Sequence, residues 1–274
     1  MAQAFVITLR EGLEMAIIVV IVLAYLKRTG RTSMFGLVWR SVGLAVAGSL
    51  LAGGVLFGLG KELEGKAEEV FEGIAMILAV GVLSWMIVWM KRQARDIRGR
   101  LESQVGQALA TGSTLALAAI PFLAVGREGL ETALFLFSSS KTATPVETLL
   151  GGILGLGGAV LLGGLLYQGG HRINLRSFFN ITGVLLILFA AGLLARGIHE
   201  FQEASLLPFL VEHVWDINPI LNENGAVGSL LKGLLGYNAN PSLVEVIAYP
   251  LYLGVALFFF FRSVPAVATG RQAA

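Results

Sequence analysis

An all-α, polytopic membrane protein is what this sequence predicts, and three observations predict it. Of the 274 residues, 55% are hydrophobic and only 14% are charged, where a soluble domain carries roughly a quarter. Apolar runs long enough to cross a bilayer recur along the whole chain, giving a mean hydropathy of +0.77. These runs are continuous and do not alternate with period two, which selects helices over a barrel. The 35 glycines suit helices that approach one another closely in lipid.

Seven spans follow in order, at residues 4–26, 41–60, 70–90, 113–138, 148–168, 178–197 and 243–261. The first is not expected to be a cleaved leader. It lacks a basic start and carries Arg10, Glu11 and Glu14 inside its apolar stretch. The whole of 1–274 reads as one membrane domain.

The loops alternate in charge. The first holds Lys27, Arg28, Arg31 and Arg40, the third Lys91, Arg92, Arg95, Arg98 and Arg100 against Asp96 and Glu102, and the fifth His171, Arg172 and Arg176. The second is acidic, with Glu62, Glu64, Glu68 and Glu69, and so is the sixth, with Glu200, Glu203, Glu212, Asp216 and Glu223. Basic loops stay in the cytoplasm. The N-terminus is therefore expected outside, and the C-terminus, with Arg262 and Arg271, inside.

Two halves resemble each other. Arg10-Glu-Gly-Leu-Glu14 recurs as Arg127-Glu-Gly-Leu-Glu131, Gly53-Gly-Val-Leu-Phe57 resembles Gly163-Gly-Leu-Leu-Tyr167, and Phe71 pairs with Phe179 at a similar offset. Three spans per unit is an odd number, so the units at 4–90 and 113–197 must be inverted relative to one another. Transporters built this way hold substrate at the repeat interface near the midplane. The outer loop 198–242 and the seventh helix, 243–261, lie outside the repeat.

Both motifs fall at one depth. Counted from the outer end of each span, Gly12 and Gly129 lie some 12–14 Å below the outer surface of a core about 30 Å thick. Glu11 and Glu14 are spaced i, i+3 and share a helix face, as do Glu128 and Glu131. Arg10 reaches Glu14 at i+4 and Arg127 reaches Glu131, so both arginines can balance charge. Four carboxylates against two guanidinium groups leave an acidic excess, which suits a hard or borderline cation with Glu11, Glu14, Glu128 and Glu131 as its ligands. Arginine–glutamate pairs that only pin two helices together would not account for that excess. The central glycines fit close packing, and Pro121 with Gly126 predicts a kink or break ahead of the second motif. The GxxxG matches Gly54/Gly58 and Gly151/Gly155 are likewise read as packing faces.

A second acidic tier lies on the outer side. Glu68, Glu69 and Glu72 lead into the third span, and His199, Glu200 and Glu203 follow the sixth. Two readings stand for Glu69, Glu72, His199, Glu200 and Glu203: a vestibule that gathers cations, or solvated acids on a loop. His213 and Asp216 read as surface residues, and 225–236 as a short interfacial helix.

The chain has no cysteine, which removes thiolate metal sites, Fe–S clusters and c-type haem. No resident cofactor is expected. A pI near 9.0 reflects loop bases beside apolar runs and is not a nucleic-acid signal.

The doubled Arg-Glu-x-x-Glu in the first and fourth of seven spans resembles the oxidase-dependent iron transporter (iron permease) family. Its bacterial branch is the more similar one, through Tyr25-Leu-Lys-Arg28, Phe71-Glu-Gly73, Trp85-Met86, Trp89-Met90, Ala190-Ala-Gly-Leu193 and Gly236-Tyr237. The resemblance implies a transporter that is not an enzyme, carrying iron across the cytoplasmic (inner) membrane with the motif glutamates as ligands. It also implies an outer partner that oxidises or delivers iron. Three other readings compete: a permease for another cation such as lead or manganese, since oxygen ligands discriminate poorly; a membrane di-iron carboxylate oxidase, which would use Glu-x-x-His, though no histidine falls in the first four spans; and a structural subunit.

Overall fold

The computed structural model describes residues 1–93, 97–140, 144–168, 175–223 and 225–262. Arg95, Asp96, His171, Arg172 and Arg271 of the loop-charge pattern lie outside these residues, as do the side chains of Trp89, Met90, Lys91, Arg92 and Arg176.

Among the described residues the regular structure is all helical: α1 (Ala2–Arg28), α2 (Phe35–Glu62), α3 (Lys66–Gln93), α4 (Ile97–Ala110), α5 (Thr114–Ser140), α6 (Pro145–Tyr167), α7 (Leu175–Glu203), α8 (Ala226–Leu235) and α9 (Leu243–Phe261). The breaks between them follow local chemistry. Gly30, Gly65 and Gly112 take positive φ at the turns before α2, α3 and α5, where a side chain would be strained. Pro145 opens α6 behind Thr144, whose hydroxyl accepts from the Glu147 amide at 3.3 Å. Ser242 and Glu245 form a capping box at the start of α9.

Five helical segments, residues 32–62, 66–87, 145–167, 177–203 and 243–261, are long and apolar enough to cross a membrane. The two others that match expected spans, α1 and α5, have 27 residues each and carry the charged motifs. Large apolar side chains point outward along these helices, including Leu50 and Leu51 of α2, Leu161 of α6 and Leu251 of α9. A water-soluble surface would not carry so much exposed apolar area. This is a multi-pass membrane protein.

α3 and α7 are the inner pair. Half of the apolar window of each is buried, against 11% for the windows containing α2 and α9. They pack on one another, while α1 packs most extensively on α6, and α5 on α2. One apolar core joins α1, α3, α5, α7 and α9 through Ile7, Met76, Leu83, Phe135, Ile187 and Leu193. A second joins the C-terminal half of α1 to α2, α4 and the first part of α5 through Val22, Leu26, Val38, Val105 and Leu117.

Glycine sets how closely the outer pairs approach. A Cβ on Gly12 would stand 2.7 Å from the Ala159 Cβ of α6, and one on Gly163 would stand 2.7 Å from the Ala16 Cβ of α1. Gly129 meets Ser49, and Gly53 meets Ala133, between α5 and α2. Gly151 and Gly155 lie against the backbone of α1, as expected for a packing face. Gly54 and Gly58 do not: both are exposed with open space beside them. Helical phase explains the difference, because Gly53 and Gly60 occupy the face turned to α5.

Three further differences from the sequence reading stand out. α5 is one helix through Pro121 and Gly126, with no break before the motif. Pro121 lies two turns into the helix and is buried, so packing supports the turn whose hydrogen bond the ring removes. The third loop contains α4, which buries Val105 and Ala108. Glu102 of α4 accepts from Arg98 and Arg28, each at 2.9 Å, and these contacts hold its carboxyl below the usual carboxylate range. Finally, α7 continues to Glu203, so His199, Glu200 and Glu203 project from a helix and not from a loop.

Gly12→Ala and Gly163→Ala are expected to destabilise the purified protein by about 1–3 kcal/mol each, the usual cost of overpacking. Gly54→Ala should leave the thermal midpoint in detergent unchanged or slightly raised.

Candidate metal centre

α1 and α5 run in opposite directions and touch at their motifs. Arg10 is almost wholly enclosed, with 2% of its side chain exposed. Its NH1 donates to Glu11 Oε1 at 2.7 Å, and its NH2 pairs with Glu14 Oε1 at 3.1 Å. NH1 also faces the Met86 sulfur of α3 at 3.1 Å. The i, i+4 pair was expected; the shorter contact to the adjacent residue was not. α5 repeats the pattern. Arg127 pairs with Glu128, and its Nε lies 3.5 Å from Glu131 Oε1. The halves differ in enclosure, since 46% of the Arg127 side chain is exposed.

Glu11, Glu128 and Glu131 each present an oxygen such that all three lie within 4.8 Å of one another. Metal–oxygen bonds of about 2.1 Å set opposite ligands about 4 Å apart, so a small inward movement would close this triad on a cation. Oε2 of each of the three is buried without a hydrogen-bond partner among the described residues. A buried carboxylate oxygen left unpaired is costly, and a cation would satisfy it. Glu14 stands outside the triad, held by Arg10. The glycines at the motif centres let α6 press on Gly12 and α2 on Gly129. Each motif helix is thereby fixed from behind while its acids face the other motif.

The residues expected in the outer tier gather at the ends of α3 and α7. Glu72 and Glu200 are 7% and 3% exposed, too buried for freely solvated loop acids. Arg196 Nε lies 2.8 Å from Glu200 Oε1, and Glu72, Glu203 and His199 also act on the Glu200 charge. Glu69 has a buried Oε2 without a hydrogen-bond partner among the described residues. His199 bridges Glu203, at 3.3 Å, and Glu245 of α9, at 3.0 Å.

Sequence reading missed Glu245. Its carboxylate is 3% exposed and also accepts from Asn238 at 2.8 Å. Ser242 and Glu245 carry the capping-box spacing, a signal for a helix start and not for a polar network. Arg196 was missed too, although its i, i+4 spacing to Glu200 was visible. A small, partly open pocket lies beside this network, lined by Gln3, Arg196, Glu223, Lys232, Asn238 and Glu245. None of the motif acids lines it. His213 and Asp216 are exposed, as expected.

Residues 1–273 match the iron permease FTR1 family. A ferrous iron permease EfeU from Shigella sonnei is 40% identical over 272 residues, covering 98% of this chain and 99% of its own. Its namesake from Escherichia coli O6:K15:H31 is 41% identical over 258 residues, covering 93% and 94%. That from Yersinia pestis is 37% identical over 259 residues, covering 94% and 92%. No solved structure matches. A family match across nearly every residue, together with relatives of this identity and coverage, shows that the chain belongs to the iron permease FTR1 family.

Proposed function

We propose that the protein carries iron across the cytoplasmic membrane by binding it between the two Arg-Glu-x-x-Glu motifs. The observation that carries this reading is the meeting of Glu11, Glu128 and Glu131 oxygens from two antiparallel helices, each residue with an unpaired buried oxygen. Iron is cargo here, and the protein needs no resident cofactor and performs no catalysis. Glu14 is the fourth ligand, turning an oxygen to the cation while Arg10 keeps a carboxylate beside it. Arg10 and Arg127 balance the acids while the site is empty.

The seven long helices form two inverted units, 4–90 and 113–197, followed by a seventh helix. Reciprocal contacts support this. Gly12 meets Ala159 as Gly129 meets Ser49, and Ala16 meets Gly163 as Ala133 meets Gly53. Those pairs exchange when the two units are superposed by their repeated motifs. The N-terminus and the α2–α3 turn face outward, and the basic loops face the cytoplasm. Glu69, Glu72, His199, Glu200 and Glu203 then form an outer vestibule, and an iron-oxidising or iron-delivering protein supplies it.

Reconstitution in liposomes tests the reading directly: iron should accumulate in preference to manganese, zinc and lead. Glu11→Gln, Glu14→Gln, Glu128→Gln and Glu131→Gln keep shape but weaken a hard-cation ligand. Each should lower iron uptake by about two orders of magnitude while inserting normally, on the scale of damaged metal sites. Near-normal uptake in all four would remove the motifs from the transport path.

The arginines should differ. Arg10→Lys cannot span two carboxylates as the guanidinium fork does, so uptake should fall sharply. Arg127→Lys, at a half-exposed position, should be the milder change in the same assay.

Orientation has its own check. In this cysteine-free chain, Gly30→Cys and Glu64→Cys should react with membrane-impermeant thiol reagents from opposite faces, Glu64→Cys from outside. Labelling of both from one side would overturn the topology.

A further inference from the structure

The Ser138 hydroxyl is a polar group that the binding motifs do not use and that the fold leaves unsatisfied. The residue is 0% exposed, and its Oγ has no hydrogen-bond partner among the described residues. Helical serines ordinarily return their hydroxyl to a carbonyl one turn back, as Ser41, Ser49 and Ser84 do here. Leaving a buried hydroxyl unpaired costs about 1–3 kcal/mol.

Its position on α5 gives that hydroxyl a use. Ser138 follows Glu131 by two helical turns, so the two side chains leave nearly the same face about 10 Å apart along the axis. Ser138 is on the side toward the outer end of the helix. The Phe71 ring of α3 and the Phe137 ring of α5 meet edge to face at 5.7 Å. That contact puts their chain neighbours Glu72 and Ser138 on helices that touch, each next to a residue of the interface. Glu72 and Glu200 are buried carboxylates at the outer ends of α3 and α7, and Glu131 has its own unpaired oxygen below.

We propose that cations descend to the motif triad along the α5 face that carries Ser138, whose hydroxyl is an oxygen ligand between the outer acids and Glu131. A neutral hydroxyl suits such a place. It can replace one water of a hydrated divalent cation without adding a charge that would trap the ion above the triad. This proposal rests on the motif triad being the transport site, and it adds the route by which that site is reached.

The absence of native cysteine makes the test clean, because Ser138→Cys is nearly isosteric and is the one thiol in the protein. In right-side-out vesicles, a small cationic methanethiosulfonate reagent added outside should modify Ser138→Cys and block iron uptake, and ferrous iron should slow the modification. Leu123→Cys, on the exposed apolar face of α5, should stay unmodified by the charged reagent. Ser138→Ala should keep or raise the wild-type thermal midpoint, since it removes an unpaired hydroxyl, but lower uptake at subsaturating iron by about fivefold, the worth of one neutral oxygen contact. If Ser138→Cys is not labelled in folded protein, or is labelled at a rate iron does not change, the route is wrong. Full uptake by Ser138→Ala would overturn it equally. Loss of uptake in Glu128→Gln and Glu131→Gln alongside either result would leave the motif site standing and remove only this path.

Discussion

A guanidinium enclosed at membrane depth persists only beside carboxylates, and Arg10 is such a group. Taking it out of water is costly, and removing either partner would strand a charge in a medium that cannot solvate it. The rest of the centre is arranged around that constraint. One arginine needs acids within reach on its own helix, which the i+1 and i+4 positions supply at 2.7 and 3.1 Å. Each motif then carries one acid more than its arginine neutralises. Bringing two such excesses together across α1 and α5 would be repulsive in a purely structural contact. The same arrangement is favourable when a cation sits between them.

Much of this was legible in the sequence, because membrane proteins write their fold in long-range hydropathy. The spans expected at 4–26 and 113–138 appear as α1 and α5, and the doubled motif pointed to Arg10, Glu11, Glu128 and Glu131. Helical spacing told which acids share a face. It could not tell that Glu14 would stand apart from the triad, because rotamer choice depends on Arg10 and on the neighbouring helices. α4 was hidden for a different reason: it is short and polar on average, yet Leu101, Val105 and Ala108 carried the i, i+4, i+7 pattern. Glu245 was the harder case, since a capping carboxylate and a buried network carboxylate look identical in sequence. Pro121 pointed to a kink or a break, and α5 is unbroken there: the ring removes one hydrogen bond, but the residue is buried and its packing holds the turn.

The two halves of the centre are alike in sequence and unlike in setting. Arg10 is sealed, whereas Arg127 remains half exposed. α9 shares the apolar core that contains Ile7 of α1 and Met86 of α3, and α8 contacts α1 directly. Both helices lie outside the sequence similarity that relates the halves, and both pack on α7. An arrangement that is symmetric in its ligands is thereby made asymmetric in its dielectric surroundings.

The cross-pairing of α1 with α6 and of α2 with α5 also has a consequence for biosynthesis. Chains are made from the N-terminus, so α1 reaches the bilayer carrying Arg10, Glu11 and Glu14 before its principal packing partner has been translated. Until α5 and α6 arrive, lipid or passing water must surround the glycine face that later receives Ala159, and only the pairs within α1 mask its charges. The first three helices are thus contiguous in sequence but do not make a folding unit. Assembly of this protein waits on its second half, and a nascent chain stalled before α6 would present an unpartnered helix with three charges in its apolar stretch to the membrane's quality-control machinery.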